Sequence, residues 1–162
     1  MSVGRDLVAR VEGRILEVVT LLRSHPDCVS EFKVPSFLLN IRGSVGGWAI
    51  SDSHLIRLNP VFLKNYTEDY LENVIPHEIA HLFVSQFYKD LRPKSHGSEW
   101  KSVMGYLGLK PRSCHGYKTE GSVIYRCRKG CFYNLGKRVH KKIQRGAVYR
   151  CRTHNYKLKE LR

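Results

Sequence analysis

The sequence predicts an α+β fold in two parts, and three features carry that prediction. Apolar residues recur at helical spacing over residues 4–23, about 67–88 and about 97–107. Between the first two of these stretches lie short β-like runs separated by glycines. From Ser122 onward the pattern changes to short strand-like runs with paired cysteines, the mark of a separate small module.

Leu7, Val8, Val11, Ile15, Val18, Val19 and Leu22 form one apolar face, so the first helix is a packing helix with its charges on the far side. Ser24-His25-Pro26-Asp27 stops it. Phe37-Leu38-Leu39-Asn40-Ile41, Trp48-Ala49-Ile50 and Leu55-Ile56-Arg57-Leu58 are the expected strands. Gly43, Gly46 and Gly47 mark the turns or a bulge between them. Asn59-Pro60 breaks the last strand. A long helix is expected from about Thr67 to Tyr88, its apolar face built from Leu71, Val74, Ile75, Ile79, Leu82 and Phe83. Pro76 lies inside it and should bend it just before His77, because proline lacks the amide that the helix needs. After the loop Leu91–Ser95, a shorter helix from about Gly97 to Leu107 places Trp100, Val103, Met104 and Leu107 inward, and Gly108 stops it. Beyond Ser122, Val123-Ile124-Tyr125 and Ala147-Val148-Tyr149 read as strands. Tyr125-Arg126-Cys127 recurs as Tyr149-Arg150-Cys151, as two knuckles of one β-rich module would. The boundary falls near 110–121, giving modules 1–112 and 113–162.

The chain has 162 residues, which suits one domain and a small appendage, and its net charge is +14. Residues 1–109 hold 12 Lys and Arg against 12 Asp and Glu. Residues 110–162 hold 16 against 2, so the excess lies entirely in the C-terminal module and points to a polyanionic partner. No stretch approaches a membrane span, and no membrane partner is expected. Arg5, Asp6, Arg10, Glu12, Arg14 and Glu17 interrupt the N-terminal stretch, which does not read as a signal peptide. Five cysteines, an odd number with three at metal-like spacing, point to an intracellular protein with reduced thiols.

The sharpest motif is His77-Glu78-Ile79-Ala80-His81. Histidines four apart share one helix face, so both imidazoles can reach one metal ion. Glu78 projects beside that ion, placed to take a proton from water and pass it to a leaving amine. The alternative is a helix with two satisfied surface histidines. A continuation as HExxHxxGxxH is absent, because Val84 and Phe87 stand where Gly and His would be. The third ligand must then come from the next helix. His96, fifteen residues after His81, is favoured there over Glu99.

Ile56-Arg57-Leu58-Asn59-Pro60, Ile75-Pro76-His77-Glu78-Ile79-Ala80-His81-Leu82 and His96-Gly97-Ser98-Glu99-Trp100 together resemble the SprT/Spartan-like zinc metalloprotease family. The resemblance runs from about residue 35 to the C-terminus in order and spacing. It implies a zincin-like metalloprotease module, helices with a small sheet, followed by a C-terminal β-rich zinc ribbon. It also implies zinc on His77, His81 and His96, with Glu78 as the catalytic glutamate. The long tail of Spartan is absent, so the resemblance is to the compact bacterial or phage form.

Cys127-x3-Cys131 and Cys151-x2-His154 are two ligand pairs suited to a structural, tetrahedral Zn²⁺, so two zinc ions are expected in all. His140 is an alternative fourth ligand. Members of the family commonly have Cys-x2-Cys as the second pair, and here the first pair is also wider. Cys28 and Cys114 read as ordinary thiols, with Cys114 and His115 close in sequence to the catalytic module.

Basic residues of the last module interleave with Tyr117, Tyr125, Phe132, Tyr133, Tyr149 and Tyr156, offering charge to phosphates and rings to unpaired bases. Tyr125 and Tyr149 are also placed to pack under the zinc knuckles. The densest cluster is Lys137, Arg138, Lys141, Lys142 and Arg145, with no recognition-helix signal. The expected partners are therefore DNA, single-stranded or at junctions and bound independently of sequence, and a protein substrate. The resemblance implies, as the leading function, a DNA-associated zinc endopeptidase acting on proteins bound or crosslinked to DNA. The alternative is a non-catalytic or regulatory nucleic-acid-binding zinc protein. The expected location is the cytoplasm, at the nucleoid, or the nucleus in a eukaryote.

Overall fold

The computed structural model describes residues 4–112, 117–119 and 121–161, and the chain packs as two units, residues 1–115 and 116–162. It is a mixed α+β structure with two small sheets. Cys114 and His115 lie outside the described residues.

In the first unit, α1 (Arg5–Arg23) buries Val11, Ile15, Val18, Val19 and Leu22, the expected face. Strands β1 (Ser36–Leu39), β2 (Gly47–Ile50) and β3 (Leu55–Leu58) form a sheet in the order β1-β3-β2. β1 runs parallel to β3 and β2 antiparallel to it, with Gly47 opposite Leu58 and Ala49 opposite Ile56. Ile56 and Leu58 are fully buried, so Gly47 and Ala49 share the core-facing side of the sheet. Helix α2 (Pro60–Asn65) follows at once, with proline in its first turn.

The long helical run from Thr67 is not uniform. It comprises α3 (Thr67–Asp69), a π-helical turn at Tyr70–Val74, and α4 (Ile75–Phe87). Pro76 is expected to bend the helix just before His77; what the structure shows there is a widened turn just before the proline. The Ile75 amide reaches back to the Tyr70 carbonyl. In that register the next carbonyl, of Leu71, would be served by residue 76, which is proline and has no N–H. Arg14 of α1 supplies the missing donor, its Nε lying 3.2 Å from the Leu71 carbonyl oxygen. Helix α4 then packs against α1, β2 and α5 (Ser98–Tyr106). Helix α5 ends in a Schellman motif. Gly108 takes φ +72°, its amide bonds to Gly105, and the Leu109 amide bonds to Met104, both at 2.9 Å.

The second unit holds a sheet ordered β5-β4-β6, from β4 (Val123–Arg126), β5 (Phe132–Leu135) and β6 (Lys159–Glu160). It departs from the sequence reading at two places. Ala147–Tyr149 is not a strand; an isolated bridge joins Arg150 and Lys157 instead. The basic cluster forms a helix, α6 (Lys137–Gln144), where the sequence predicts none. Val139, His140 and Ile143 supply its inner side, and the charges dominating the segment mask that spacing.

Asn59 ties the first unit together. It is fully buried. Its Oδ1 caps α2 by accepting from the Val61 and Phe62 amides at 3.0 and 3.4 Å. Its Nδ2 donates to the carbonyls of Gly43 and Val45 at 3.1 and 2.9 Å. One side chain thus fixes a helix start and the loop entering β2. Asn59→Ala should destabilise this unit by about 2–3 kcal/mol, from the lost cap and two abandoned carbonyls. Asn59→Asp, which keeps the cap but turns a carboxylate toward those carbonyls, should lose at least as much. The denaturation midpoint followed by tryptophan fluorescence checks this, since both tryptophans, Trp48 and Trp100, lie in this unit.

Candidate metal centres

Helix α4 presents His77 and His81 one turn apart, and the loop entering α5 returns His96 to the same point. The three Nε2 atoms form an equilateral triangle, each 3.1 Å from the other two. Three nitrogen lone pairs directed at one point repel unless a cation lies among them, so this cluster can hold a metal ion. Burial and the two neighbouring imidazoles lower the pKa of His81 to about 3, and burial lowers that of His96. Both rings are neutral at physiological pH, with lone pairs free for a ligand role. Glu99 is not in the triangle: Ser98 Oγ donates to its Oε1 at 3.0 Å, and its other oxygen lies over Gly97.

Trp100, fully buried, is the floor of this cluster. Its ring stacks on His81 at 5.5 Å and 22°, and meets His77 and His96 edge-on at 4.7 Å. Its Nε1 donates to the His77 carbonyl at 3.4 Å. In the sequence Trp100 reads as a core residue; its contact with all three histidines depends on how α4 and α5 cross.

Glu78, the residue after His77, lies beneath β2 and is only 6% exposed. Burial pushes its pKa up to about 8, and a hydrogen bond from the Ala49 amide works against that rise. A group titrating near neutrality suits proton transfer in both directions. Tyr70 sits close enough for the Glu78 charge to help raise its pKa, although burial is the larger cause. The Tyr70 hydroxyl donates to the Gly46 carbonyl at 2.5 Å and accepts from the Asn59 amide at 2.8 Å.

In the second unit the ligand atoms of Cys127, Cys131, Cys151 and His154 all lie within 4.8 Å of one another, a second set able to hold a metal ion. His154 Nδ1 is 3.8, 3.4 and 3.6 Å from the three sulfurs in that order. Each pair sits on a tight turn. Gly130 at φ +90° lets its amide reach the Cys127 carbonyl, and Asn155 at φ +55° does the same for Cys151. Tyr133, which the sequence offers only as one of several aromatics, donates to Cys151 Sγ at 3.1 Å. That bond is the main cause lowering the Cys151 thiol to about 6. His140 is elsewhere, its Nδ1 2.9 Å from the Tyr125 hydroxyl. Tyr125 is buried against the cysteines, and Tyr149 packs against the same cluster.

Lys137, Arg138, Lys141, Lys142 and Arg145 are all exposed on or just beyond α6. Of the six aromatics, Phe132 and Tyr156 are exposed, at 64% and 40%, and Arg126 lies 5.6 Å over the Phe132 ring. Tyr117 and Tyr125 are buried and Tyr133 and Tyr149 half-buried, so most of these rings are packing groups and not open stacking faces. Among the described residues no helix is long and apolar enough to cross a membrane.

The model of the SprT-like family matches residues 21–117, which include the histidine triangle and Glu78. Protein SprT of Vibrio parahaemolyticus is 38% identical over 140 residues, covering 77% of this chain and 82% of its own. Protein SprT of Pasteurella multocida is 37% identical over 154 residues, covering 91% and 90%. Protein SprT of Escherichia coli O139:H28 is 39% identical over 158 residues, covering 93% and 90%. No solved structure matches the chain. With the family match spanning more than half its length and such relatives along nearly all of it, this chain belongs to the SprT-like family.

Proposed function

We propose that the chain is a zinc-dependent metalloendopeptidase of zincin type that works on proteins bound or crosslinked to DNA. The observation that carries the peptidase reading is the triangle of Nε2 atoms with a buried glutamate one residue from its first histidine. Zinc about 2.0–2.1 Å from three nitrogens at tetrahedral angles holds them about 3.3 Å apart, close to the 3.1 Å found. Zinc about 2.3 Å from a thiolate likewise separates sulfur from nitrogen by about 3.5 Å, which the 3.4–3.8 Å of the second cluster brackets. The first set has three donors, leaving a position for water or substrate. The second has four and is closed, as structural sites are.

Bound in the triangle, zinc supplies Lewis acidity toward water and a peptide carbonyl. The chain does the rest. His77, His81 and His96 hold the ion, with Trp100 packed behind all three rings. Glu78 accepts the proton of the attacking water and returns it to the leaving amine. Its buried position keeps the carboxylate poised between its two protonation states.

The DNA part of the proposal is supported by charge. The first 109 residues sum to zero, and the excess lies beyond them, with five cations together on and beside α6. A helix carrying them offers an exposed row to a phosphate backbone, and the exposed Phe132 and Tyr156 offer faces to unpaired bases.

Glu78→Gln should retain zinc and fold while slowing peptide cleavage about 10²–10⁴-fold, as expected for loss of general base catalysis. Cleavage at the wild-type rate would remove Glu78 from the mechanism. His96→Ala should lower zinc content and Glu99→Ala should not; the reverse outcome would make Glu99 the ligand. In the second unit, Cys151→Ser should lose one zinc per chain while the triangle keeps its own, measured by metal analysis.

Removing Lys137, Arg138, Lys141 and Lys142 together should weaken DNA binding for every sequence. Each lost phosphate contact should flatten the log–log salt dependence by about 0.7 on single strands. DNA-stimulated cleavage should fall with binding, while basal cleavage of a short peptide stays unchanged. Binding measured across a salt series would contradict the DNA reading if the slope matched wild type.

A further inference from the structure

Strand β2 passes directly over Glu78, and its sequence fits that position unevenly. Trp48 points to the outer face of the sheet, 60% exposed, opposite Arg57. Gly47 and Ala49 point inward. An ideal Cβ built on Gly47 would lie 2.5 Å from Glu78 Oε1, 2.7 Å from its Cγ and 2.8 Å from its Cδ. Real carbon contacts are not that short, so any side chain at residue 47 collides with the carboxylate. Gly47 is in ordinary extended strand, so its backbone does not require glycine. The three atoms nearest to that position all belong to Glu78.

The strand cannot retreat to make room. Gly47 is paired with Leu58 of β3, which is fully buried. The carbonyl just before it, of Gly46, accepts from the Asn59 amide at 3.0 Å and from the Tyr70 hydroxyl at 2.5 Å. Asn59 Nδ2 holds the loop at Gly43 and Val45. Two residues further on, the Ala49 amide donates to Glu78. The backbone on both sides of Gly47 is therefore fixed, and the Glu78 side chain is the part that would move.

We propose that Gly47 is a positioning residue for Glu78: the side chain it lacks leaves the space in which the carboxylate lies, so that the Ala49 amide can hold it beside the histidine triangle. This rests on the reading of Glu78 as the general base. A displacement of about 1 Å in a reacting group costs about 10²-fold in rate. In that reading Glu78 carries protons and does not hold the substrate.

The test is Gly47→Ala, compared with wild type, Glu78→Ala, Glu78→Asp and the double variant Gly47→Ala/Glu78→Asp. In zinc-free protein, amide hydrogen exchange at Ala49 should be protected in wild type and fast in both Glu78→Ala and Gly47→Ala, while the β3 amides stay protected in all three. In zinc-loaded protein, Gly47→Ala should keep its zinc, lower kcat on a short peptide about 10²-fold and leave KM unchanged. Gly47→Ala and Glu78→Asp both act through the same carboxylate, so the double variant should lose less than the product of the two single losses. If Gly47→Ala fails to fold, Gly47→Ala/Glu78→Asp, with its shorter acid, should fold; failure there overturns the proposal. Wild-type protection at Ala49 in Gly47→Ala also overturns it. So does a raised KM at unchanged kcat, which would place Gly47 against the substrate instead. If wild type cleaves no peptide with zinc bound, the general-base reading fails, while the exchange experiment still decides whether Gly47 makes room for Glu78.

Discussion

Three imidazole nitrogens 3.1 Å apart form an arrangement that the fold must hold against their mutual repulsion. Much of the first unit serves that end. One turn of α4 sets two of the nitrogens, and the return of the chain into α5 sets the third. A buried indole braces all three rings from behind. A repulsive cluster of donors, two of them pushed toward the neutral form by burial, is a site prepared for a cation, and binding a cation converts the repulsion into stability.

The second unit solves a similar problem with less material. Its core is small, and two of the clustered cysteines, Cys127 and Cys151, are themselves buried parts of it, beside Tyr125 and Leu158. Tight turns at Gly130 and Asn155 bring the two pairs together. The Tyr133 hydroxyl eases one thiol toward its charged form. Metal binding and core formation would here be nearly the same event, whereas the first unit has an apolar core of its own spread over α1, β3 and α4.

Much of this is legible in the sequence because it depends on local spacing. The face of α1, the four-residue step from His77 to His81 and the glycine stop after α5 come from helix geometry alone. The features that the sequence hides depend on contacts between distant segments. Nothing near Glu78 in the chain indicates that β2 will cover it, or that Trp100 will meet three histidines. Spacing leaves His140 and His154 open, and the choice is made by α6, which carries His140 to Tyr125. Helix α6 itself is obscured because its cations outnumber the inward residues Val139, His140 and Ile143. Of the two roles the sequence leaves to Tyr125, stacking on a base or packing under the cysteines, burial beside the cysteines selects the second.

The π-helical turn at Tyr70–Val74 has a consequence for how this chain can change length. A π turn spends one more residue per turn than an α-helix, so it sets the rotational phase between the helical segments on its two sides. Tyr70, pinned to Gly46, lies at its start, and His77 and Glu78 lie just past its end. Removing one residue inside the turn and letting it tighten to α would keep both faces aimed as they are. Removing Ile75 or Pro76 would instead turn the ligand face by roughly 100°, and removing one residue between His77 and His81 would break their four-residue step. The turn is thus the place in this helix where insertions and deletions are least visible to the site, with Arg14, which already serves the Leu71 carbonyl, ready to accommodate the altered backbone.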